Sequence, residues 1–123
     1  MMTSAAPMIH VPDVAATADW YRALGFEVIN LYRECDDPGA EATFALLGCG
    51  DSRVMLNAGG KPSTAERREV DLYVHVDDVA AMRAAIGNRA EIVADLNDTF
   101  YGAREFIIRD CNRFWITFGQ RIA

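Results

Sequence analysis

Several things are scarce in this 123-residue chain, and each absence excludes a class of protein. Basic charge is the first. Residues 1–60 hold eight acids and three bases, a balance of −5, and residues 61–123 hold ten and nine, a balance of −1. Nucleic acid and anionic membrane call for basic patches, so neither is an expected partner. Cysteine is scarce too: Cys35, Cys49 and Cys111 are an odd number without CxxC spacing. That spacing supports neither a disulfide framework nor a cysteine zinc site, and it suits a reducing compartment. No apolar run approaches the ~20 residues of a membrane helix. The opening Met-Met-Thr-Ser-Ala-Ala-Pro has no basic stretch before an apolar core, so it does not read as a secretory signal. The expected location is the cytoplasm. What is present, 51% hydrophobic and 24% charged residues, is the composition of one globular domain spanning 1–123.

Period-two alternation dominates, with two helical interruptions. Ala6–Val11 alternates and meets Pro12-Asp13, where Asp13 can cap a helix over Val14–Leu24 carrying Val14, Ala18 and Tyr21 at helical spacing. Gly25 then stops it. Strand-like runs follow over Phe26–Glu34, Ala42–Leu47 and Arg53–Asn57, divided by Asp36-Asp37-Pro38-Gly39 and Gly48-Cys49-Gly50-Asp51 as turns. Gly59–Glu69 is polar and reads as a linker. The pattern then restarts: a strand over Val70–Val76, a helix from the cap Asp78 to Ile86, and strands over Ala90–Asp95, Ala103–Arg109 and Arg113–Phe118. Val11, Asp13, Val14, Ala15 and Ala16 recur as Val76, Asp78, Val79, Ala80 and Ala81, each at an offset of 65. Such a period means two copies of one supersecondary unit, here 4–58 and 70–119 joined by 59–69. A unit of ~60 residues buries little surface alone, so the copies are expected to share a core.

Alternation also sorts the faces. Pro7, Ile9 and Val11 oppose Ala6, Met8 and His10; Leu72, Val74 and Val76 oppose Asp71, Tyr73 and His75; Phe114, Ile116 and Phe118 oppose Arg113, Trp115 and Thr117. The first face is wholly apolar and suits packing under a helix. The second mixes large aromatics with scattered polar groups, as ligand clefts do. Met8, His10, Met55, Asp71, Tyr73, Trp115 and Thr117 are therefore the candidate ligand-binding residues.

The run "VPDVAATADWYRALGFEV" resembles the opening of the glyoxalase/bleomycin-resistance/dioxygenase (vicinal oxygen chelate) superfamily, a strand, V-x-D-V, then W/F-Y-x-x-L-G-F. "YGAREFIIRDCNRFWITF" is similar to its closing hairpin, G-x-x-F-x-x-R-D followed by a turn. The resemblance covers nearly the whole chain and lies nearest to bleomycin-resistance-like binding proteins. It implies an α+β fold of two βαβββ modules, meeting edge to edge in a concave mixed sheet with helices on the outer face. Enzymes of this superfamily mostly hold a divalent metal through His, Glu or Gln. One ligand position, seven residues before the first cap, is here Ala6, and its repeat mate is Asp71. Another falls on Trp115 counted from Asn112, or on Thr117 counted from Asp110, because the family's D-P-x-G-N turn is shortened to Asp110-Cys111-Asn112. One carboxylate without partners does not hold manganese, iron or zinc, so no metal and no cofactor is expected. His10 and His75 are repeat mates; if the implied twofold passes near residues 6 and 71, their backbones lie roughly 26 Å apart, too far for one metal.

Other motifs carry less. Gly48-x-Gly50 and Gly59-Gly60-Lys61 lack phosphate-loop spacing and read as turns. Ser4, Ser52 and Ser63 have no neighbouring base. Cys111 has only Arg113 near it to activate a thiol. Trp20 reads as packing. Two functions stay open. One is a non-catalytic protein that sequesters an aromatic or cationic compound by stacking on Trp115 and Tyr73. The other is an enzyme, using a metal through unusual ligands or acid–base chemistry from Asp71 with Glu105 or His75. A homodimer is expected from the strand edges that the repeat leaves.

Overall fold

The computed structural model describes residues 1–122, and the chain divides into two compact units, 1–62 and 63–123. The first runs β1 (Met8–His10), α1 (Val14–Leu24), β2 (Glu27–Arg33), β3 (Ala42–Cys49) and β4 (Ser52–Asn57). The second runs β5 (Asp71–His75), α2 (Val79–Ile86), β6 (Glu91–Asp98), β7 (Ala103–Arg109) and β8 (Trp115–Arg121). Each forms a four-stranded sheet, ordered β1-β4-β3-β2 and β5-β8-β7-β6. The β1–β4 and β5–β8 pairs are parallel and the others antiparallel. The fold is α+β, one βαβββ module written twice.

The helices start where the repeated aspartates put them. Asp13 accepts the Ala16 amide and Asp78 the Ala81 amide, both at 3.0 Å. Both caps have extended backbones, so the carboxylate reaches back over the first turn. Val14, Ala18 and Tyr21 are buried on α1, against Ala45, Leu47 and Leu56 of the first sheet. In the second unit Val79 and Ile86 of α2 are buried, as are Phe106, Ile108, Ile116 and Phe118 of the strands it packs on. Each sheet thus has a helix-covered face and a face without one.

The structure differs from the sequence reading at several element ends. β8 begins at Trp115 rather than Arg113, because Arg113 has φ 72 inside a turn. In that turn Asp110 accepts the Asn112 and Phe114 amides at 2.8 and 2.9 Å. The strand instead runs on to Arg121, where Gly102 accepts the Ile122 amide. β6 extends to Asp98 because a register shift lets Asn97 and Asp98 pair with Glu105 and Arg104. Pro7 is exposed, outside β1, and contributes only its carbonyl, which accepts the Met55 amide.

The segment 59–69 is not a loose connector. Gly60 donates to the Val11 carbonyl and lies so close that a Cβ there would fall 2.3 Å from the His10 oxygen. Ala65 O accepts from Arg113 Nε, and Glu66 O accepts from Arg109 Nη2 and Trp115 Nε1. Arg68 donates to the Asn112 carbonyl and stacks on Phe114 at 4.1 Å. Each end of the segment is held by its own unit.

Candidate functional site

Strand register sets three rows across the helix-free face of the second sheet. Asp71, Trp115, Arg109 and Glu91 form one; Tyr73, Thr117 and Ile107 the next; His75, Gly119, Glu105 and Asn97 the third. Asp71, Tyr73, Trp115 and Thr117 therefore share one face, as alternation places them. On the first sheet Met8, Met55, Leu46 and Asn30 form one row, and His10, Asn57, Phe44 and Tyr32 another. Met8 and Met55 are direct neighbours there, and His10 Nδ1 is hydrogen-bonded to the Ala58 carbonyl at 3.2 Å.

The first row of the second sheet is strapped by arginines. Arg67 pairs with Asp71 at 2.6 Å and places its guanidinium 4.3 Å from the centre of the Trp115 ring. One indole face is thus covered by the protein itself. Buried Arg109 pairs with Glu91 at 2.7 Å, and that hydrogen bond draws the Glu91 carboxyl below its usual range. Its Nε is buried with no hydrogen-bond partner among the described residues.

The third row holds groups that the sequence did not bring together. Glu105 is 6% exposed. Tyr73 Oη donates to its Oε2 at 2.6 Å, and Tyr101 Oη lies 2.7 Å from Oε1 and 2.8 Å from Oε2. Tyr73 rises from the middle row and reaches Glu105 by crossing Gly119. A Cβ on Gly119 would lie 1.9 Å from the Tyr73 oxygen, so only glycine leaves the crossing open. Tyr101 comes from the β6–β7 turn, closed by the Thr99 and Ala103 hydrogen bonds. Burial, and then the carboxylate it donates to, pushes the Tyr73 phenol up to about 12. Glu105 raises Tyr101 too. Both phenols stay protonated donors at neutral pH. Tyr73 also packs on His75, ring centres 4.9 Å apart.

Asp71 does not converge with Glu105: it stands two rows away, turned to Arg67. Nor do the positions that carry metal ligands in the related enzymes offer a donor set. Ala6 has a methyl group, Asp71 is ion-paired, Trp115 gives its indole N–H to Glu66 O, and Thr117, the alternative position, has a hydroxyl rather than a His, Glu or Gln side chain. Among the described residues no three His, Cys, Asp or Glu side chains are grouped to hold a metal ion.

A βαβββ module repeated once, with one helix per sheet and a ring-bearing opposite face, defines a class of small α+β protein. The chain belongs to the Glyoxalase/Bleomycin resistance protein/Dioxygenase superfamily, whose family model matches residues 4–118. Solved structures share the fold. TioX from Micromonospora sp. ML1 is 22% identical over 98% of each chain, TM-score 0.72. The bleomycin resistance determinant encoded on transposon Tn5 is 18% identical over 98% of each, TM-score 0.69. The bleomycin-binding protein of Streptomyces verticillus, solved with copper(II)-bleomycin, is 23% identical over 96% of this chain and 95% of that one, TM-score 0.64. At these identities the likeness is one of fold. None of the curated proteins matches the chain.

Proposed function

We propose that the protein is a metal-free, non-catalytic binding protein for a planar aromatic small molecule, held on the helix-free face of the second sheet. The observation that carries this reading is the lining of the second sheet. Tyr73 is 45% and Tyr101 59% exposed, and Trp115 stands on the same face as Tyr73, where a solvated face would carry short polar groups. The Arg67 plane over Trp115 extends that aromatic surface. Met8, His10 and Met55 share the helix-free face of the first sheet, a second candidate contact surface taken by itself. Similarity to bleomycin-binding proteins agrees with a small-molecule ligand. Fold alone does not fix function, and the arrangement of acids supplies the rest. Asp71 is tied to Arg67 and Glu105 to two phenols two rows away, which argues against the two acting together as an acid–base or metal-ligand pair.

Two measurements on the purified protein test this. Manganese, iron, nickel or zinc should leave the melting temperature unchanged, since a metal bound to the native state raises it by mass action. A clear rise with one ion, lost in Asp71→Ala, would refute the metal-free reading. Naphthylmethanol, followed by tryptophan fluorescence, should bind, and Trp115→Ala should weaken it about 10-fold, a modest anchor loss because Arg67 already covers one indole face.

A homodimer is part of the same proposal. Each sheet, taken by itself, ends on two edge strands, β1 and β2 or β5 and β6, and open edges invite pairing. Light scattering at micromolar concentration should give twice the chain mass; a monomer mass would remove this part.

A further inference from the structure

Among the carboxylates carried by the strands of the second sheet, Glu105 stands apart. Asp71 pairs with Arg67, Glu91 with Arg109, Asp95 with Arg83 and Asp98 with Arg104. Those four carboxylates are each matched to an arginine. Glu105, the buried one, has no ion-pair partner among the described residues and is held by two phenols instead. Phenols satisfy lone pairs without cancelling charge. A buried carboxylate that keeps its charge is costly unless a cation meets it.

The hydrogen bonding leaves such a cation an acceptor. Oε2 takes both phenols, whereas Oε1 takes Tyr101 alone, and a carboxylate oxygen accepts two hydrogen bonds. The rings of the two phenols bound to Glu105 are about half exposed, and aromatic faces attract cations. Gly119 lets the Tyr73 phenol cross to Oε2. His75, packed on Tyr73, is the titratable neighbour in the same row.

We propose that Glu105, presented between Tyr73 and Tyr101, recognises a protonated nitrogen on the ligand through Oε1, so that this trio sets the charge specificity of the site. The inference rests on the aromatic-ligand reading above and adds the ligand's charge to it.

Three probes of one shape test it by calorimetry at neutral pH on the full chain: naphthylmethylamine (cationic), naphthylmethanol (neutral) and naphthylacetate (anionic). The amine should bind about 10-fold tighter than the alcohol, and the acetate weakest. In Glu105→Gln the amine and alcohol should bind alike within about twofold, while the alcohol stays within about threefold of its wild-type affinity. Should that variant fail to fold, Glu105→Asp, which withdraws the charge by one methylene, should cut the preference below about threefold. Equal binding of amine and alcohol to the wild type overturns this inference and leaves the aromatic-ligand reading standing. So does a full preference surviving in either variant. If none of the three binds, both fall.

Discussion

Phe106→Ala should cost about 3–5 kcal/mol of stability and lower the melting temperature by about 10 °C or more. Phe106 lies at the centre of β7, is 0% exposed, and stacks on Phe118 with ring centroids 5.0 Å apart and planes 20° off parallel. The two rings, Ile108 and Ile116 form the strand side of the core under α2. Truncation removes the transfer energy of the ring and leaves a cavity between rigid strands that cannot collapse to fill it. A small protein has only about 5–15 kcal/mol in all, so the loss is a large share. Phe100→Ala is the control. It deletes the same ring six residues earlier, at the tip of the β6–β7 hairpin, where Phe100 is 100% exposed. Its cost should stay within about 0.5 kcal/mol. Thermal melts of the two variants side by side decide the matter: comparable melting temperatures would mean that the helix-covered face has been assigned to the wrong side.

That assignment could be made from alternation, because the side-chain period of a strand is two wherever the strand lies. Ile9, Val11, Phe114, Ile116 and Phe118 are buried as the pattern requires. The helix starts were readable for a similar local reason, since a cap involves residues three apart. What the sequence does not hold is register. Glu105 could be placed on the face of Tyr73, but its meeting with Tyr73 depends on which residue of β8 lies between them, and the answer, Gly119, comes only from pairing. The role of 59–69 was hidden for a second reason. Its acceptors, Ala65 O and Glu66 O, are backbone atoms that every residue has, so composition cannot mark them. Trp115, read as an open stacking surface, turns out to share one face with Arg67, a residue drawn from that same segment.

Two glycines in the chain block a side chain for opposite reasons, and the contrast yields the second large effect. Gly60→Ala would set a Cβ 2.3 Å from the His10 oxygen and 2.4 Å from its carbonyl carbon. These are backbone atoms of β1, fixed by its ladder to β4, and they cannot yield without moving the strand. The substitution should cost about 3 kcal/mol, at the upper end of overpacking, and a double mutant cannot relieve it by trimming a neighbour. In Gly119→Ala the obstructing atoms are instead the tip of Tyr73, a half-exposed ring that can rotate towards solvent. Stability should then fall by about 1.5–3 kcal/mol, roughly the hydrogen bond to a charged acceptor. The phenol should meanwhile titrate near its ordinary value of 10 instead of about 12. The sign of the accompanying pH effect follows. In the wild type the folded phenol holds its proton after the unfolded one has released it, so Tyr73 supports the fold below pH 10 and that support is lost as pH rises towards about 12. Gly119→Ala should flatten this decline, and Gly119→Ala with Tyr73→Phe should be flatter still and recover some stability, because the nearest clashing atom is gone and only ring carbons at 2.5 and 2.9 Å must shift. Ultraviolet titration of the phenolates and alkaline melts of the wild type and these two variants read both effects. A Tyr73 titration unmoved by Gly119→Ala would show that the phenol does not cross the glycine to reach Glu105.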